Sequence, residues 1–407
     1  MTTQDEVFSR ERLAGYNPDL MAESVALVVG AGALGQNTAQ NLALAGIGEI
    51  RIVDKDTFEQ HNQTRSPAYP MGEEQTRYGM KKARAVAYKL RTMMTAPRAK
   101  MRFADAWIQE LGDGAFKGVS VVLSCVDTPA GRAHLADKTR LLKLPLIEGG
   151  FEGADISLSS YPAVRDQEAR TTPCWCCTHQ EFVGAFSCDF YAAQAEKAGI
   201  IPAIQNAAAV LGGLQAEAAI QALHLKSAAP LHSRVFDFNI RTGNARALRL
   251  ATDPLCPGVH RAFGDTPIGL TATGSSSVGE LIEEISQHFT EPPMVELHYP
   301  FVWSSTCQSC DRLVSVRQPD WQWIMDARCS ECKGLSANGK LAASINTPTV
   351  YSQLTAGCNE ELLSTPCQDV GLPPLSIIEA IDEASTVKLF ELSGTVDDIF
   401  QLGEDYD

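Results

Sequence analysis

The sequence predicts an α/β protein with a doubly wound, mainly parallel sheet, followed by a smaller α+β domain. Three observations support this fold class. Strands alternate with helices in the first part of the chain, a glycine-rich turn follows the first strand, and several cysteines form spaced pairs. Short apolar strands that alternate with helices are typical of βαβ units, which build parallel sheets covered by helices.

The individual elements follow from apolar periodicity and turn residues. We expect strands at 25–30, 49–54, 99–103 and 118–125, and helices at 33–46, 73–94, 128–142 and 201–223. A β-hairpin that turns at Thr242–Asn244 comes next, because a glycine supplies the turn. We place one domain at 1–262, a Gly/Ser/Thr-rich linker at 263–276 and a second domain, with a helix at 278–289, at 277–407.

The composition limits the classes of function. The net charge is -15 and the pI near 5.0, which disfavours binding to nucleic acid. No apolar run approaches the ~20 residues of a membrane span, and the start lacks a secretory signal. The 12 cysteines, several in C-x-x-C spacing, favour metal binding in a reducing compartment over disulfides. We therefore expect a soluble, cytoplasmic protein that does not bind membranes.

A glycine-rich turn predicts a nucleotide site in a Rossmann-like sheet. Gly30, Gly32 and Gly35 lie between a buried strand and a helix, where close backbone approach and a helix N-terminus suit phosphate. Asp54 ends the next strand, in place to accept hydrogen bonds from ribose hydroxyls. Taken alone, the turn would also suit a nicotinamide or flavin enzyme.

The polar loop after the second strand changes that interpretation. It places Asp54, Asp56, Asn62 and Arg65 in the pattern D-x-D-x-x-E-x-x-N-x-x-R, a cluster that a dehydrogenase does not need. A site that holds a triphosphate, a metal and a carboxylate does need such groups. With the glycine turn, this pattern resembles the ubiquitin-activating-enzyme superfamily, which includes the ThiF- and MoeB-type sulfur-carrier adenylyltransferases, over about residues 7–260.

The resemblance implies roles for further residues. Arg10 would reach into the site of a partner protomer, so we expect a homodimer. Lys82 would bind phosphate, with the adjacent Lys81 as the alternative. Asp127 would bind Mg²⁺ or orient ATP, and Arg132 would support it.

The resemblance also implies an activity. ATP and the C-terminal carboxylate of a ubiquitin-like or sulfur-carrier β-grasp protein that ends in glycine would form an acyl-adenylate. Cys188 would then accept the acyl group as a thioester, and a conjugating enzyme would receive it. The main alternative is adenylation of a sulfur carrier, with a sulfur donor as partner, for cofactor or tRNA thiolation. Adenylation of a peptide or tRNA without a thioester, an NAD-dependent oxidoreductase and a non-enzymatic scaffold are the remaining alternatives.

The other cysteines divide into two predicted Zn²⁺ sites. Cys174 and Cys177 have ligand spacing, and the family's second ligand pair corresponds here to Cys256 and His260, which predicts a structural zinc knuckle. Two C-x-x-C pairs in the second domain predict a zinc ribbon: Cys307, Cys310, Cys329 and Cys332. No role is assigned to Cys125, Cys176, Cys358 or Cys367.

Overall fold

The structure is a computed structural model that describes residues 6–67, 79–164, 166–179, 203–226, 229–307, 310–325, 329, 332 and 346–403. Its strands are β1 (Val25–Val29), β2 (Glu49–Val53), β3 (Lys100–Ala104), β4 (Val121–Ser124), β5 (Leu146–Glu152), β6 (Asp155–Tyr161), β7 (Arg234–Asn239), β8 (Ala245–Arg249), β9 (Ile268–Thr273), β10 (Met294–Thr306), β11 (Leu313–Pro319), β12 (Asn346–Leu354), β13 (Ile377–Ile381), β14 (Val387–Ser393) and β15 (Gln401–Leu402).

The helices of the described residues are α1 (Ser9–Leu13), α2 (Pro18–Glu23), α3 (Ala33–Leu44), α4 (Lys82–Leu90), α5 (Pro129–Leu141), α6 (Asp166–Ala169), α7 (Gln205–Leu225), α8 (Val278–Ser286), α9 (Asp320–Met325) and α10 (Glu360–Leu363). None of them combines the length and the apolar character that crossing a bilayer takes.

A large sheet organises the first part of the chain. Its nine strands in the described residues follow the order β15-β3-β2-β1-β4-β5-β6-β7-β8. Strands β3, β2, β1, β4 and β5 are parallel, whereas β6, β7 and β8 extend the sheet in antiparallel register. The strand order reverses between β1 and β4, where open α/β sheets bind ligands beyond the carboxyl ends of the strands. The predicted mainly parallel α/β fold is confirmed.

The central strands are apolar throughout because helices cover both faces of the sheet. Ala26 and Val28 pack into the core beneath α3, α4 and α7, whereas Leu27 and Val29 face the core beneath α5. Strands buried on both faces read as continuous apolar runs instead of alternating ones. This explains why β1 was easy to predict from the sequence alone.

A second, six-stranded sheet follows, with the order β11-β10-β13-β14-β9 and with β12 paired to β10. Helix α8 packs Val278, Leu281 and Ile285 against it. Ser277 begins this helix, since its hydroxyl accepts a hydrogen bond from the amide of Glu280 and the Glu280 carboxylate accepts one from the amide of Ser277. We call the nine-stranded sheet with its helices the first unit, and this sheet with α8 to α10 the second unit.

Two features depart from the predicted organisation. Strand β9 lies within the predicted linker 263–276, so this stretch is not a linker throughout; Leu270 and Ala272 alternate inward while polar neighbours face out. In addition, β15 returns to the first unit and pairs antiparallel with β3, which places Phe400 in that core. The limits of the two domains otherwise stay a prediction.

The predicted helices and hairpin lie close to the observed ones. The hairpin of β7 and β8 turns at Gly243, whose φ is +75°, as predicted. Of the helix predicted at 73–94, residues up to 78 lie outside the described ones, and α4 occupies part of the remainder. The helix predicted at 201–223 is α7, which runs two residues further.

Buried polar contacts join the two units along α5. The ammonium group of Lys138 lies 2.7 Å from Oδ1 of Asp113, and Oδ2 of Asp113 accepts a 3.0 Å hydrogen bond from the amide of Ile377 on β13. Nδ1 of His134 lies 2.7 Å from the hydroxyl of Tyr299 on β10. The second unit is thus fixed against the same helix that borders the carboxyl ends of the first sheet.

Candidate functional site

A cavity of about 660 Å³ opens beyond the carboxyl ends of β1, β2 and β4. Nine of the sequence-predicted site residues line it: Gly30, Gly32, Asp54, Asp56, Asn62, Arg65, Lys82, Asp127 and Arg132. Parallel strands bring these residues to one edge of the sheet, although they are separated by up to about a quarter of the chain.

At two of the three glycine positions in the turn, a residue with a Cβ atom would clash with the backbone. Gly30 has a φ of +98°, and a Cβ there would lie 2.5 Å from the carbonyl oxygen of Cys125 on the neighbouring strand end. A Cβ on Gly35 would lie 1.8 Å from the carbonyl oxygen of Gly30, so α3 packs directly on the turn. Gly32 faces open space, which leaves the N-terminus of α3 accessible from the cavity.

Asp54 holds this turn against the end of β2. Its Oδ2 accepts a 2.6 Å hydrogen bond from the amide of Ala31, and its Oδ1 accepts one of 2.8 Å from the amide of Asp56. Burial raises the pKa of Asp54, an effect that Lys82 and these amides oppose. The carboxylate therefore orders the turn and also faces the cavity.

A carboxylate flanked by two lysines forms the adjacent wall. Oδ2 of Asp56 lies 3.1 Å from Nζ of Lys82, and Oδ1 lies 2.8 Å from Nζ of Lys55. Burial works to raise the pKa of Asp56, but the hydrogen bonds and charges of both lysines outweigh it and lower this pKa below its ordinary value. Lys81 is exposed and donates to the carbonyl of Lys55 at 2.7 Å. Of the two adjacent lysines it is Lys82 that lines the cavity.

A short 3₁₀ turn presents the next two polar residues. Asn62 is buried, and its Oδ1 accepts a 2.9 Å hydrogen bond from the amide of Glu59, which closes the turn at residues 60–62. The amide of Arg65 donates to the carbonyl of Asn62 at 3.1 Å. Asn62 thus shapes the loop that brings the Arg65 side chain to the cavity.

The start of α5 supplies the opposite wall. Thr128 caps the helix through a 3.3 Å hydrogen bond from the amide of Gly131, so the preceding Asp127 lies exposed at the cavity. Arg132 donates to the carbonyl of Val126 at 3.2 Å and forms an ion pair with the buried Glu148 on β5. Arg132 is therefore fixed by two partners beside Asp127.

Of the remaining residues of interest, Cys125 also lines the cavity, although the sequence predicts no role for it. Arg10 is exposed on α1 and does not line this cavity in its own chain. Cys188 lies outside the described residues, so its predicted role as nucleophile stays a prediction. Cys125 donates to Oε1 of Gln215 at 3.2 Å, and burial raises its pKa to about 12, which keeps the thiol protonated near neutral pH.

The residues of the predicted zinc knuckle converge on one point. Sγ of Cys174 lies 3.8 Å from Sγ of Cys177 and 3.7 Å from Sγ of Cys256, and Nε2 of His260 lies 3.4 and 3.3 Å from the first two sulfurs. Four ligands placed tetrahedrally at Zn–S distances of about 2.3 Å would have sulfurs about 3.8 Å apart. This geometry could hold a metal ion.

The surroundings of the knuckle suit a metal ligand set. Nδ1 of His260 lies 2.9 Å from the carbonyl oxygen of Ala169, which orients the ring and leaves Nε2 for a metal. A Cβ on Gly258 would lie 2.8 Å from Cβ of Cys176 and 3.2 Å from Sγ of Cys174. Cys176 is buried beside the cluster without belonging to it.

The four cysteines of the predicted ribbon also come together. Their sulfur atoms lie within 4.8 Å of one another, with 3.8 Å between Cys307 and Cys332 and 3.9 Å between Cys310 and Cys329. Asp311, with a φ of 52°, turns the chain so that its amide donates to the carbonyl of Cys307 at 2.8 Å. Four thiolates at these distances could hold a second metal ion.

Sequence reasoning missed three residues of the cavity and its support. Trp107 lines the cavity just after β3, and the ammonium group of Lys55 lies 4.0 Å from the centre of its ring. Glu148 binds Arg132 from β5. The position of Trp107 after a parallel strand was a usable signal, whereas the pairing of Glu148 with Arg132 depends on the order of strands in space.

The fold and the cavity define an α/β protein with a candidate ligand site beyond the carboxyl ends of its parallel strands, followed by a second unit. A model of the ThiF family matches residues 17–258, more than half of the chain. The chain therefore belongs to the ThiF family, which confirms the resemblance drawn from its motifs and supports the predicted class of enzyme, an adenylyltransferase.

Several characterised proteins are similar to part of this chain. Adenylyltransferase and sulfurtransferase MOCS3 of Mus musculus is 36% identical over 142 residues, which are 33% of this chain and 28% of that protein. The uba4 protein of Pyricularia oryzae, with the same description, is 32% identical over 161 residues, 39% of this chain and 31% of that protein. MOCS3 of Caenorhabditis briggsae is 26% identical over 251 residues, 61% and 56% of the two chains. The matches thus span about a third to a half of these relatives.

Solved structures share the fold. E. coli MccB with succinimide has a TM-score of 0.50 and 16% identity, and covers 62% of this chain and 74% of its own. The microcin C7 biosynthetic enzyme MccB in complex with N-formylated MccA has a TM-score of 0.50 and 17% identity over the same shares. At this level of identity the likeness concerns the fold alone.

Proposed function

We propose that this protein adenylates the C-terminal carboxylate of a ubiquitin-like β-grasp protein, with ATP as the second substrate. The observation that carries the proposal is the set of nine predicted site residues that line one cavity. The relatives named adenylyltransferase and sulfurtransferase support the same class of reaction. An oxidoreductase is less well supported, because the cavity wall holds cations suited to a triphosphate.

The cavity offers a distinct group to each part of ATP. Asp54 would accept hydrogen bonds from the ribose hydroxyls, and the amides at the start of α3 would face phosphate oxygens. Lys82 and Arg65 would offset the negative charge of the triphosphate. Arg10 from a second protomer would add a further cation, so the proposal includes a homodimer.

The residues at the start of α5 fit a Mg²⁺ ion. Asp127 presents an exposed carboxylate to the cavity and forms no ion pair with the described residues. Carboxylate oxygens are the ligands that Mg²⁺ prefers beside phosphate groups. Mg²⁺ held there would neutralise charge on phosphate oxygens. Arg132, fixed by Glu148, would keep the wall behind Asp127 in place.

The proposed reaction forms one bond and breaks one. A carboxylate oxygen of the β-grasp protein attacks the α-phosphorus, and the bond from that phosphorus to the bridging oxygen breaks. Pyrophosphate leaves with the electron pair, and an acyl-adenylate remains. Lys82 and Arg65 would stabilise the charge that develops on the leaving group, while the fixed walls hold the reactants in line.

A sulfur carrier is the favoured substrate. The names of the relatives join adenylyltransferase with sulfurtransferase, so we expect the adenylate to meet a sulfur donor in cofactor or tRNA thiolation. Thioester formation on Cys188, followed by transfer to a conjugating enzyme, is the second candidate. The second unit favours it, because that unit lies entirely beyond the family match and would offer a surface for a further partner.

The two cysteine clusters are proposed as structural zinc sites. Each presents four protein ligands, which leaves no open position for a substrate, and this arrangement is typical of structural zinc. The knuckle would join the chain after β6 to the segment after β8. The ribbon would stabilise the end of β10.

The test is exchange of labelled pyrophosphate into ATP with a panel of β-grasp proteins that end in glycine. We expect exchange with one carrier and none when its terminal glycine is removed. If no carrier supports exchange although the enzyme binds ATP, the proposal is wrong. A sulfide donor should then give a thiocarboxylate with both the native enzyme and Cys188→Ser; a thiol-labile adduct lost in Cys188→Ser would favour conjugation.

A further inference from the structure

We infer that the second unit positions the base end of the nucleotide cavity, through the contact of Trp321 with Trp107. The inference rests on the proposed function, which makes this cavity an ATP site. Trp321 lies outside the segment 17–258 that matches the ThiF family. The family match therefore does not account for a contribution of this residue to the site.

The topology places Trp107 at the end of the cavity that lies away from the glycine turn and Asp127. The glycine turn follows β1 and Asp127 follows β4, whereas Trp107 follows β3, on the far side of β2. Asp54, proposed to bind the ribose, follows β2 and lies between these ends. The Lys55 ammonium group lies over one face of this indole ring, so a purine would stack on the other face. Base–aromatic stacking contributes about 1–3 kcal/mol in other proteins.

Three contacts set the position of Trp107. Its amide donates a 2.9 Å hydrogen bond to Oε2 of Glu110, which fixes the backbone at the start of a 3₁₀ turn. The Lys55 ammonium group lies 4.0 Å from the centre of its ring. The rings of Trp321 and Trp107 are in an edge-to-face arrangement, with 6.3 Å between centroids and an interplanar angle of 66°. Of the three, only Trp321 comes from the second unit.

Trp321 is itself firmly held. It is 6% exposed, at the start of α9, and its ring lies 6.3 Å from that of Tyr299. The hydroxyl of Tyr299 lies 2.7 Å from Nδ1 of the buried His134 on α5. The contact between Trp321 and Trp107 is therefore part of a packed junction between the units and does not belong to a surface side chain.

Lys55 connects Trp107 to the wall of the cavity that would bind phosphate. Lys55, beside the ring of Trp107, also forms the 2.8 Å ion pair with Asp56, whose other oxygen binds Lys82. A shift of Trp107 would thus affect the base end directly and the lysines only indirectly. We expect loss of Trp321 to weaken binding of the adenosine part of ATP more than binding of its phosphates.

The experiment is calorimetric titration of the full chain with AMPCPP and, separately, with tripolyphosphate. Trp321→Ala should weaken AMPCPP binding about three- to tenfold, the range for losing one aromatic contact, and leave tripolyphosphate affinity unchanged. Trp321→Phe should restore most of the affinity, because it keeps an aromatic ring. Trp303→Ala is the matched control, since Trp303 packs against Tyr351 and Phe301 and does not line the nucleotide cavity.

The outcomes separate this inference from the proposed function. The positioning role is wrong if Trp321→Ala binds AMPCPP with wild-type affinity. It is also wrong if Trp321→Ala and Trp303→Ala lose the same affinity, for AMPCPP and for tripolyphosphate alike. A native chain that binds neither ligand overturns the proposed function itself. Trp321→Leu keeps an apolar side chain without the aromatic ring, and it provides the same comparison if the alanine variant does not fold.

Discussion

The ammonium group of Lys82 lies 3.1 Å from Oδ2 of Asp56, at the wall of the nucleotide cavity. Its side chain is 13% exposed, while that of Asp56 is 45% exposed. A partly exposed ion pair of this kind adds little to the free energy of unfolding. Its value here is positional, because it holds a cation at the place where the triphosphate would lie.

Replacing Lys82 tests this assignment against its neighbour. Lys82→Met should weaken AMPCPP binding about 10- to 100-fold, the range for losing a charge-assisted hydrogen bond. Lys81→Met should change the affinity less than twofold, because Lys81 does not line the cavity and donates to the carbonyl of Lys55. Titration of both variants measures the difference. Equal losses would show that general positive charge, and not the Asp56-bound lysine, governs binding.

Gly35 and Gly213 form a matched pair for stability. In Gly35→Ala the new Cβ would lie 1.8 Å from the carbonyl of Gly30, so we expect a loss of several kcal/mol in the free energy of unfolding. In Gly213→Ala, on α7, the Cβ meets nothing within 4 Å, and we expect a gain of about 0.5–1 kcal/mol. Urea titrations of both variants provide the comparison. Similar stability in the two would contradict the packing of α3 on the glycine turn.

Asp320 predicts a pH dependence of stability. Burial raises its pKa from 3.8 to about 6. Because the folded protein holds this proton more tightly than the unfolded chain, its contribution to the free energy of unfolding is greatest below about pH 4 and declines up to about pH 6.

Asp320→Asn removes this titratable group and keeps an acceptor for the amide of Trp321. In the native chain this amide lies 2.6 Å from Oδ1 of Asp320. The stability of the native chain relative to this variant should fall by up to about 3 kcal/mol between those pH values. Urea titrations at a series of pH values measure it. A constant difference across the series would show that Asp320 titrates in the folded protein as it does in the unfolded chain.

The two cysteine clusters predict the metal content. Elemental analysis of the purified chain should find about two Zn²⁺ ions. Cys174→Ser and Cys310→Ser should each remove about one, whereas His260→Cys should retain the first ion because a thiolate replaces the imidazole. If the native chain contains only one ion and one of the serine variants retains it, the cluster altered in that variant does not bind Zn²⁺.

The sequence predicted those parts of the site that depend on local order. Gly30 and Asp54 directly follow apolar strands, and Asp127 lies three residues after the end of another. Parallel strands bring their carboxyl ends to one edge whatever the details of packing. Cys174 and Cys256 were paired through the family pattern, and the structure places their sulfurs 3.7 Å apart.

What the sequence did not predict depends on contacts between distant segments. The sequence of strand β9 resembles a linker because its exposed positions are Gly and Thr. Its extended conformation depends on pairing with β14. The return of Phe400 to the first core has no local signal. The same holds for Trp321, which meets Trp107 only because buried contacts on α5 fix the second unit in place.

The most direct test of the central claim follows the oxygen of the substrate carboxylate. A β-grasp carrier that supports pyrophosphate exchange is prepared with heavy oxygen in its C-terminal carboxylate, and the adenylate is intercepted with hydroxylamine. Attack on the α-phosphorus predicts that the released AMP contains one heavy oxygen, as measured by mass spectrometry. Unlabelled AMP, or heavy oxygen in pyrophosphate or phosphate, would contradict adenylation of the carboxylate.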